Sequence, residues 1–262
     1  MAIFKYEEFM QSSLYIVSTP IGNLGDFSTR GIKVLKQVDI ILCEDTRITN
    51  ILLNSIGIRK RLIVYNDHNA EEIIPKIIHN ILNNNTVYAL VSDAGTPLIS
   101  DPGYKLVNAC INNHIEYTAI PGPSAVINAL VLSGFPSNKF LFVGFVDPKE
   151  FEELSKVYST ITLYESPNRI INTLKQMMEY FNDRTIAIIR EMTKVFEEVK
   201  RGTLDYLIKY FGDNIPKGEF VIVISPPIRQ QNQDLIKLNS YLDLINLVIN
   251  KVQTKDVSRI LS

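Results

Sequence analysis

Short runs of β-branched and aliphatic residues alternate along this chain with stretches of helical spacing. In the first half the apolar runs at residues 14–18, 39–43, 62–65, 86–91 and 115–120 read as strands. Between them, residues 28–38, 46–55, 70–83 and 101–113 carry the 3.6-residue period of helices. Ser28 and Asp45 stand where N-caps are wanted. Strand and helix in strict alternation predict a mostly parallel, doubly wound sheet. The segment Ile120-Pro121-Gly122-Pro123-Ser124-Ala125 interrupts the pattern and reads as a hinge, with Pro123 in the first turn of a helix running to about residue 132.

The second half repeats the alternation. Strands are expected at 140–146, 160–164, 185–190, 195–200 and 219–224, and helices at 148–157, 168–180 and 204–211. Residues 229–234 are polar, 240–252 form a strongly apolar helix, and a further helix reaches Ser262. The organisation read from this pattern is an α/β unit at 13–121, a second α/β unit at 122–228, both with mostly parallel sheets, and a helical extension at 229–262.

Composition narrows the function classes. A chain of 262 residues buries roughly 70–75% of its unfolded surface, so neither disulfide nor metal is needed as a staple. Cys43 and Cys110 fall in a strand and a helix, and no Cys/His cluster exists, so no metal site is expected. A net charge of −1 gives nothing in favour of a general nucleic-acid binder, and any polyanion site would have to be a local patch. Met1–Ser13 contains Lys5, Glu7 and Glu8 without a long apolar run, unlike a signal peptide, and no segment has the length of a membrane span. A cytoplasmic protein is expected. The phosphate-binding GxxxxGK[ST], the dinucleotide GxGxxG, the GxSxG elbow and a helical HxxxH are all absent.

What remains is a set of unusual loops at the carboxyl ends of predicted strands. They are residues 18–26, Cys43-Glu44-Asp45-Thr46-Arg47, Tyr65-Asn66-Asp67-His68-Asn69, 92–103 and 121–125, then Tyr164-Glu165-Ser166-Pro167-Asn168-Arg169 and Arg190-Glu191-Met192-Thr193-Lys194. In an open α/β sheet ligands bind outside these ends. Each loop also has a plain structural use. Gly22, Gly25, Gly95 and Gly103 suit tight turns, Asp45 a helix cap, Asp101-Pro102-Gly103 a common turn, Arg190-Glu191 an internal ion pair, and His68 a solvated position. Their convergence on one rim exceeds what turns require. Gly- and Pro-rich backbone suits a ligand that wants amide and carbonyl contacts, such as a nucleoside.

The spellings Ser18-Thr19-Pro20-Ile21-Gly22-Asn23-Leu24-Gly25-Asp26, Glu44-Asp45-Thr46-Arg47, Asp67-His68-Asn69, Ser92-Asp93-Ala94-Gly95-Thr96-Pro97-Leu98-Ile99-Ser100-Asp101-Pro102-Gly103 and Pro121-Gly122-Pro123-Ser124-Ala125 resemble the bacterial small-subunit ribosomal RNA 2′-O-ribose methyltransferases of the tetrapyrrole-methylase-like superfamily. The resemblance runs in order from about Leu14 to Ile224. It implies two α/β domains with a cleft between them for S-adenosylmethionine. It also implies a homodimer, and a cytidine ribose in the decoding region as acceptor. By motif match Pro20, Gly95, Thr96, Pro97, Ile99, Ser124, Ala125 and Tyr164 would hold the methyl donor, its methionine end at the start of a helix. Members of that family ordinarily continue past the position of Ser262 with a short helical segment. For the acceptor hydroxyl a base is expected among Glu44, Asp45, Glu165 and Glu191, with His68 as runner-up, and these alternatives stay open. Arg47, Arg169, Arg190 and Lys194, with His68, would contact the RNA. Two rivals share the fold: a methyltransferase acting on a tetrapyrrole, and a non-catalytic ribosome-binding or assembly factor.

Overall fold

The structure, a computed structural model, describes residues 13–212 and 217–227. Five strands, β1 (Leu14–Val17), β2 (Ile40–Cys43), β3 (Arg61–Val64), β4 (Tyr88–Leu90) and β5 (Tyr117–Ile120), form a first sheet in the order β3-β2-β4-β1-β5. Every pairing in it is parallel. Four helices connect them: α1 (Thr29–Gln37), α2 (Thr46–Ser55), α3 (Ala70–Asn84) and α4 (Tyr104–Asn112). Ser28 and Asp45 cap α1 and α2 as expected, accepting from the amides of Gly31 and Arg47.

Alternate residues of each strand face opposite layers. Tyr15, Val17, Ile41, Cys43 and Ala89 pack with Val34, Leu35 and Leu53 of α1 and α2. Leu14, Ile40, Leu42, Tyr88 and Leu90 pack with Ile77, Ile81, Leu106 and Cys110 of α3 and α4. Both faces are therefore dry, which explains why these strands read as continuous apolar runs. Adjacent β1 and β4 hand the chain to helices on opposite faces, α1 on one and α4 on the other. Their carboxyl ends diverge there, and a crevice opens at this topological switch point.

The second half begins with α5 (Ala125–Ser133) and continues through β6 (Phe140–Phe145), α6 (Phe151–Ser155), β7 (Thr160–Glu165), α7 (Ile170–Phe181), β8 (Ile186–Arg190), β9 (Glu198–Gly202), α8 (Leu204–Gly212) and β10 (Phe220–Ile224). Its sheet has the order β6-β7-β10-β8-β9. Here the expectation of a mostly parallel sheet is corrected. Only β6 and β7 pair in parallel, whereas β7–β10, β10–β8 and β8–β9 are antiparallel. The reason is local: β8 and β9 form a hairpin, and β10 returns between β7 and β8.

Both faces of this sheet are again covered. Ile186, Ile188, Phe220, Ile222 and Ile224 pack with Phe151, Leu174, Phe181 and Leu207 of α6, α7 and α8. Ala187, Ile189, Val221 and Val223 pack with Ala129 and Leu130 of α5 and with Ile21 from the loop after β1. That last cluster joins the two halves.

Smaller departures have simple causes. Ser124, not Pro123, occupies the N-cap of α5, so Pro123 lies one residue before the cap rather than in the first turn. The helix expected from residue 148 starts as a 3-10 turn at Pro148–Glu150 closed by an Asp147–Glu150 capping box. The strand expected at 195–200 lies at Glu198–Gly202. The extension at 229–262, with its helix at 240–252, lies outside the described residues. Among the described residues no helix is long and apolar enough to cross a membrane.

Candidate active site

The loops after β1 and β4 meet across the crevice. The Thr19 amide donates to the Gly95 carbonyl at 2.8 Å, and the Gly95 amide returns to Thr19 at 3.2 Å. Thr19 Oγ1 donates to the Ser92 carbonyl at 3.1 Å, and Ser92 Oγ to the Gly95 carbonyl at 3.1 Å. Thr96 Oγ1 donates to the Pro123 carbonyl at 2.9 Å, so the Ser18 hydroxyl, also 2.9 Å from Thr96 Oγ1, is the donor of that pair. Three loops are stitched together by short polar side chains. Gly122 completes the join, since a Cβ there would stand 2.9 Å from Ser18 Cβ.

The rest of the β4–α4 loop is wound tightly. Leu98 and Ser100 hold left-handed backbone at φ 72° and 65°. Such residues are uncommon outside glycine and persist where the surroundings over-determine them. Gly103, at φ 144°, is pressed by Leu98 and Leu90. The winding sends Ile99, Ser100 and Asp101 into the crevice.

The second half supplies the opposite wall. Phe145 at the end of β6, Tyr164 and Glu165 at the end of β7, Met192 after β8 and Val221 of β10 face Ile21, Ala94, Ile99, Asp101 and Ala125 across a cavity of about 360 Å³. A smaller recess of about 20 Å³ lies between Gly95, Thr96, Ser124 and Tyr164. Gly95, Thr96, Ile99, Ser124, Ala125 and Tyr164 thus line one space or the other. Of the residues expected to hold a cofactor, Pro20 and Pro97 do not; Pro20 is half-buried and Pro97 buried. Tyr164 packs edge-on to Phe142 at 5.0 Å between ring centroids and against Phe145 at 5.6 Å. Burial, and then the Asp101 carboxylate, push its hydroxyl up to about 12.

The acids expected near the reacting hydroxyl divide by their partners. Glu44 lies at the end of β2 outside the cavity lining, its carboxyl raised by burial and by Asp93, Asp67 and Asp45. Asp45 caps α2 and grips Arg47, 2.6 Å from Nη2, and these bonds hold its carboxyl down to about 2. Glu165 is 3% exposed and accepts from Thr173 Oγ1 at 2.5 Å and the Ser166 amide at 2.7 Å, with Arg169 Nε at 3.1 Å. Glu191 sits at φ 51°. Burial opposes its ionisation, but the Glu219 amide and Lys194, each 3.0 Å away, outweigh that and keep its carboxyl low.

Sequence reasoning missed Asp101 as a site residue, because Asp-Pro-Gly spells a common turn. Burial, then the charges of Glu44 and Asp93, push its carboxyl up to about 6, with the Ser92 side chain opposing the shift. Phe145 and Met192 were missed as well; an aromatic at the end of a strand carries no signal beyond ordinary packing.

The cations expected at the RNA are also divided. Arg47 is 87% exposed in its side chain, with Asp45 as partner. Arg169 donates to the Val146 carbonyl at 2.9 Å and pairs with Glu165. Arg190 Nε donates to the Lys217 carbonyl at 2.6 Å, and Glu198 lies 3.7 Å from Arg190 Nη1. Lys194 bridges Glu191 and Glu219, both at 3.0 Å. These three fasten loops of the second half to one another. His68 is exposed in the loop after β3, with its amide bonded to Asn66 Oδ1.

Comparison with known proteins follows the same outline. The family model for Tetrapyrrole (Corrin/Porphyrin) Methylases matches residues 13–208. A Rickettsia prowazekii protein named Ribosomal RNA small subunit methyltransferase I is 44% identical over 241 residues, covering 89% of this chain and 85% of its own. A Thermotoga maritima protein of the same name is 43% identical over 217 residues, covering 81% of this chain and 97% of its own. Among solved structures, uroporphyrin-III-C-methyltransferase from Thermus thermophilus superposes with a TM-score of 0.58 at 17% identity, over 81% of this chain and 94% of that one. This is a likeness of fold. The chain is a methyltransferase and belongs to the tetrapyrrole (corrin/porphyrin) methylase family.

Proposed function

We propose that this enzyme methylates the ribose 2′-oxygen of a cytidine in the decoding region of small-subunit ribosomal RNA, using S-adenosylmethionine. The observation that carries the reading is the 44% identity, sustained over 241 residues, to a relative named for small-subunit ribosomal RNA. The loop spellings from Ser18 to Ala125 support the ribose and the cytidine through the resemblance they bear.

The cleft suits the donor on its own chemistry. Gly95 holds φ 87°, and a Cβ there would lie 3.3 Å from Ile21 Cγ2 beside the recess, so the backbone approaches a ligand without a side chain between. The Ser124 side chain makes no capping bond to α5, which leaves the first-turn amides free for a carboxylate. Ile21, Ile99 and Tyr164 supply apolar walls for a nucleoside. Gly95, Thr96, Ile99, Ser124, Ala125 and Tyr164 would hold the donor, with Pro20 and Pro97 shaping the loops behind them. When bound, the donor supplies a methyl group already activated by a positively charged sulfur.

The protein's part is to fix the acceptor oxygen in line with that methyl. Such positioning contributes about 7–11 kcal/mol, and a base adds about 10²–10⁴-fold. Of the four acids first considered, Asp45, Glu165 and Glu191 are each held by a cation. Arg47, exposed in the first turn of α2, and His68 beyond β3 would meet RNA phosphates. A second copy of the chain is the proposed protein partner. Val131 lines a shallow groove with Thr193 and Glu197, and Val195 and Phe196 on the same turn are 94% and 75% exposed. The reading places the enzyme in the cytoplasm with its substrate.

The test is incubation with methyl-labelled S-adenosylmethionine and either small ribosomal subunits or a corrinoid precursor. Label in small-subunit RNA supports the proposal, and label in the corrinoid favours the small-molecule rival. Absence of both label and calorimetric donor binding favours a non-catalytic assembly factor.

A further inference from the structure

We propose that Asp101 is the base that accepts the proton of the acceptor hydroxyl, an assignment that rests on the methyl-transfer reading above. Three carboxylates line the cavity: Asp101, Glu165 and Glu219. Glu165 is committed to Arg169, Thr173 and the Ser166 amide. Glu219 is engaged by Lys194 and is 75% exposed in its side chain. Asp101 makes no ion pair among the described residues, and no lysine or arginine lines the cavity.

The neighbours of Asp101 favour a proton on it. Glu44 at the end of β2 and Asp93 in its own loop both add negative charge, and only the Ser92 side chain works against them. Across the cleft stand Tyr164 and Glu165 of β7 and Glu219 ahead of β10. Burial and like charge bring the carboxyl to about 6. A base of that strength is ionised at neutral pH and still holds a proton well enough to help remove one.

The backbone explains how the side chain is aimed. Left-handed Leu98 and Ser100 turn the loop inward, and Gly144 at φ 63° in the bulge of β6 leaves room for Ser100, whose Oγ lies 3.0 Å from where a Cβ would be. Asp101 takes the proton released as the hydroxyl oxygen forms its bond to the methyl carbon. The electron pair of the broken carbon–sulfur bond stays on sulfur, which becomes a neutral thioether, and the proton later passes to solvent.

The test compares wild type, Asp101→Asn and Asp101→Glu by single-turnover transfer to small ribosomal subunits across pH 5–9. Donor affinity by calorimetry and a carbon-13 carboxyl titration accompany it. Asp101→Asn is expected to slow transfer by about 10²–10⁴-fold with donor affinity unchanged, and to abolish the one-proton fall in rate on the acid side. Asp101→Glu recovers part of the rate. A carboxyl resonance titrating near pH 6 in wild type disappears in Asp101→Asn. The proposal is overturned if Asp101→Asn stays within about tenfold of wild type, keeps the wild-type pH profile, or loses donor binding in step with rate. Wild-type protein that binds donor and labels no RNA overturns instead the reading beneath it, and the proposal with it.

Discussion

Gly22 and Lys194 lie so close that a Cβ on the glycine would stand 2.6 Å from Lys194 Cγ, with Thr193 Oγ1 at 2.8 Å and the Met192 carbonyl at 3.0 Å. The first residue belongs to the loop after β1 and the second to the turn between β8 and β9. Their contact sets how far the two walls of the cleft stand apart. The lysine stem could swing away, but the Met192 carbonyl is backbone, and moving it shifts Met192 in the cavity wall. Gly22→Ala is expected to destabilise by about 1–3 kcal/mol and to weaken donor binding. Denaturant titration and calorimetry with S-adenosylmethionine check both.

Asp101 makes stability depend on pH in a direction opposite to most carboxylates. Burial lifts its carboxyl from 3.8 to about 6, so the folded protein holds the proton more tightly than the unfolded chain. The ionised group therefore opposes folding. That opposition is absent below the unfolded value, grows as pH rises towards about 6, and is complete above it. Asp101→Asn should raise Tm at pH 8, and the gain should vanish near pH 4, as followed by calorimetric melting. A variant that melts higher yet transfers slowly is the familiar exchange of stability for function.

Glu165 carries the reverse prediction. Its carboxylate is 3% exposed and satisfies Thr173, Ser166 and Arg169 at once. Glu165→Ala leaves a buried hydroxyl and an amide without partners and should destabilise by about 2–4 kcal/mol. Equilibrium unfolding in urea at neutral pH reads this directly.

Much of this arrangement was legible in the sequence, and what was not has physical causes. The βαβ order, the caps at Ser28 and Asp45 and the place of the 92–103 loop at the carboxyl end of β4 all follow from local spacing. Strand direction in the second sheet did not. Ile186–Ile189 and Phe220–Ile224 are covered by α6, α7 and α8 on one face and by α5 on the other, so antiparallel strands show the unbroken apolar runs of parallel ones. The pairing of Lys194 with Glu219 was invisible because its partner is 25 residues away. Asp101 was hidden by its own turn; burial and the approach of Glu44 appear only once β2 and β4 lie side by side.

Arg47 and Arg190 test the proposed RNA contact against a scaffold role. Arg47 is 87% exposed, whereas Arg190 is tied to the Lys217 carbonyl and lies 5.9 Å from the Phe220 ring centroid. Arg47→Ala should weaken binding of small-subunit RNA and reduce the slope of log affinity against log salt by about one. Arg190→Ala should lower Tm and leave that slope unchanged. Filter binding at several salt concentrations, beside a melting curve, distinguishes them.

The most direct measurement is mass spectrometry of small-subunit ribosomal RNA from cells with and without this gene. The account predicts one methyl group on the ribose of a decoding-region cytidine, present with the gene and missing without it. Identical RNA in the two strains, or a lost methyl that maps to a base instead of a ribose, would contradict it.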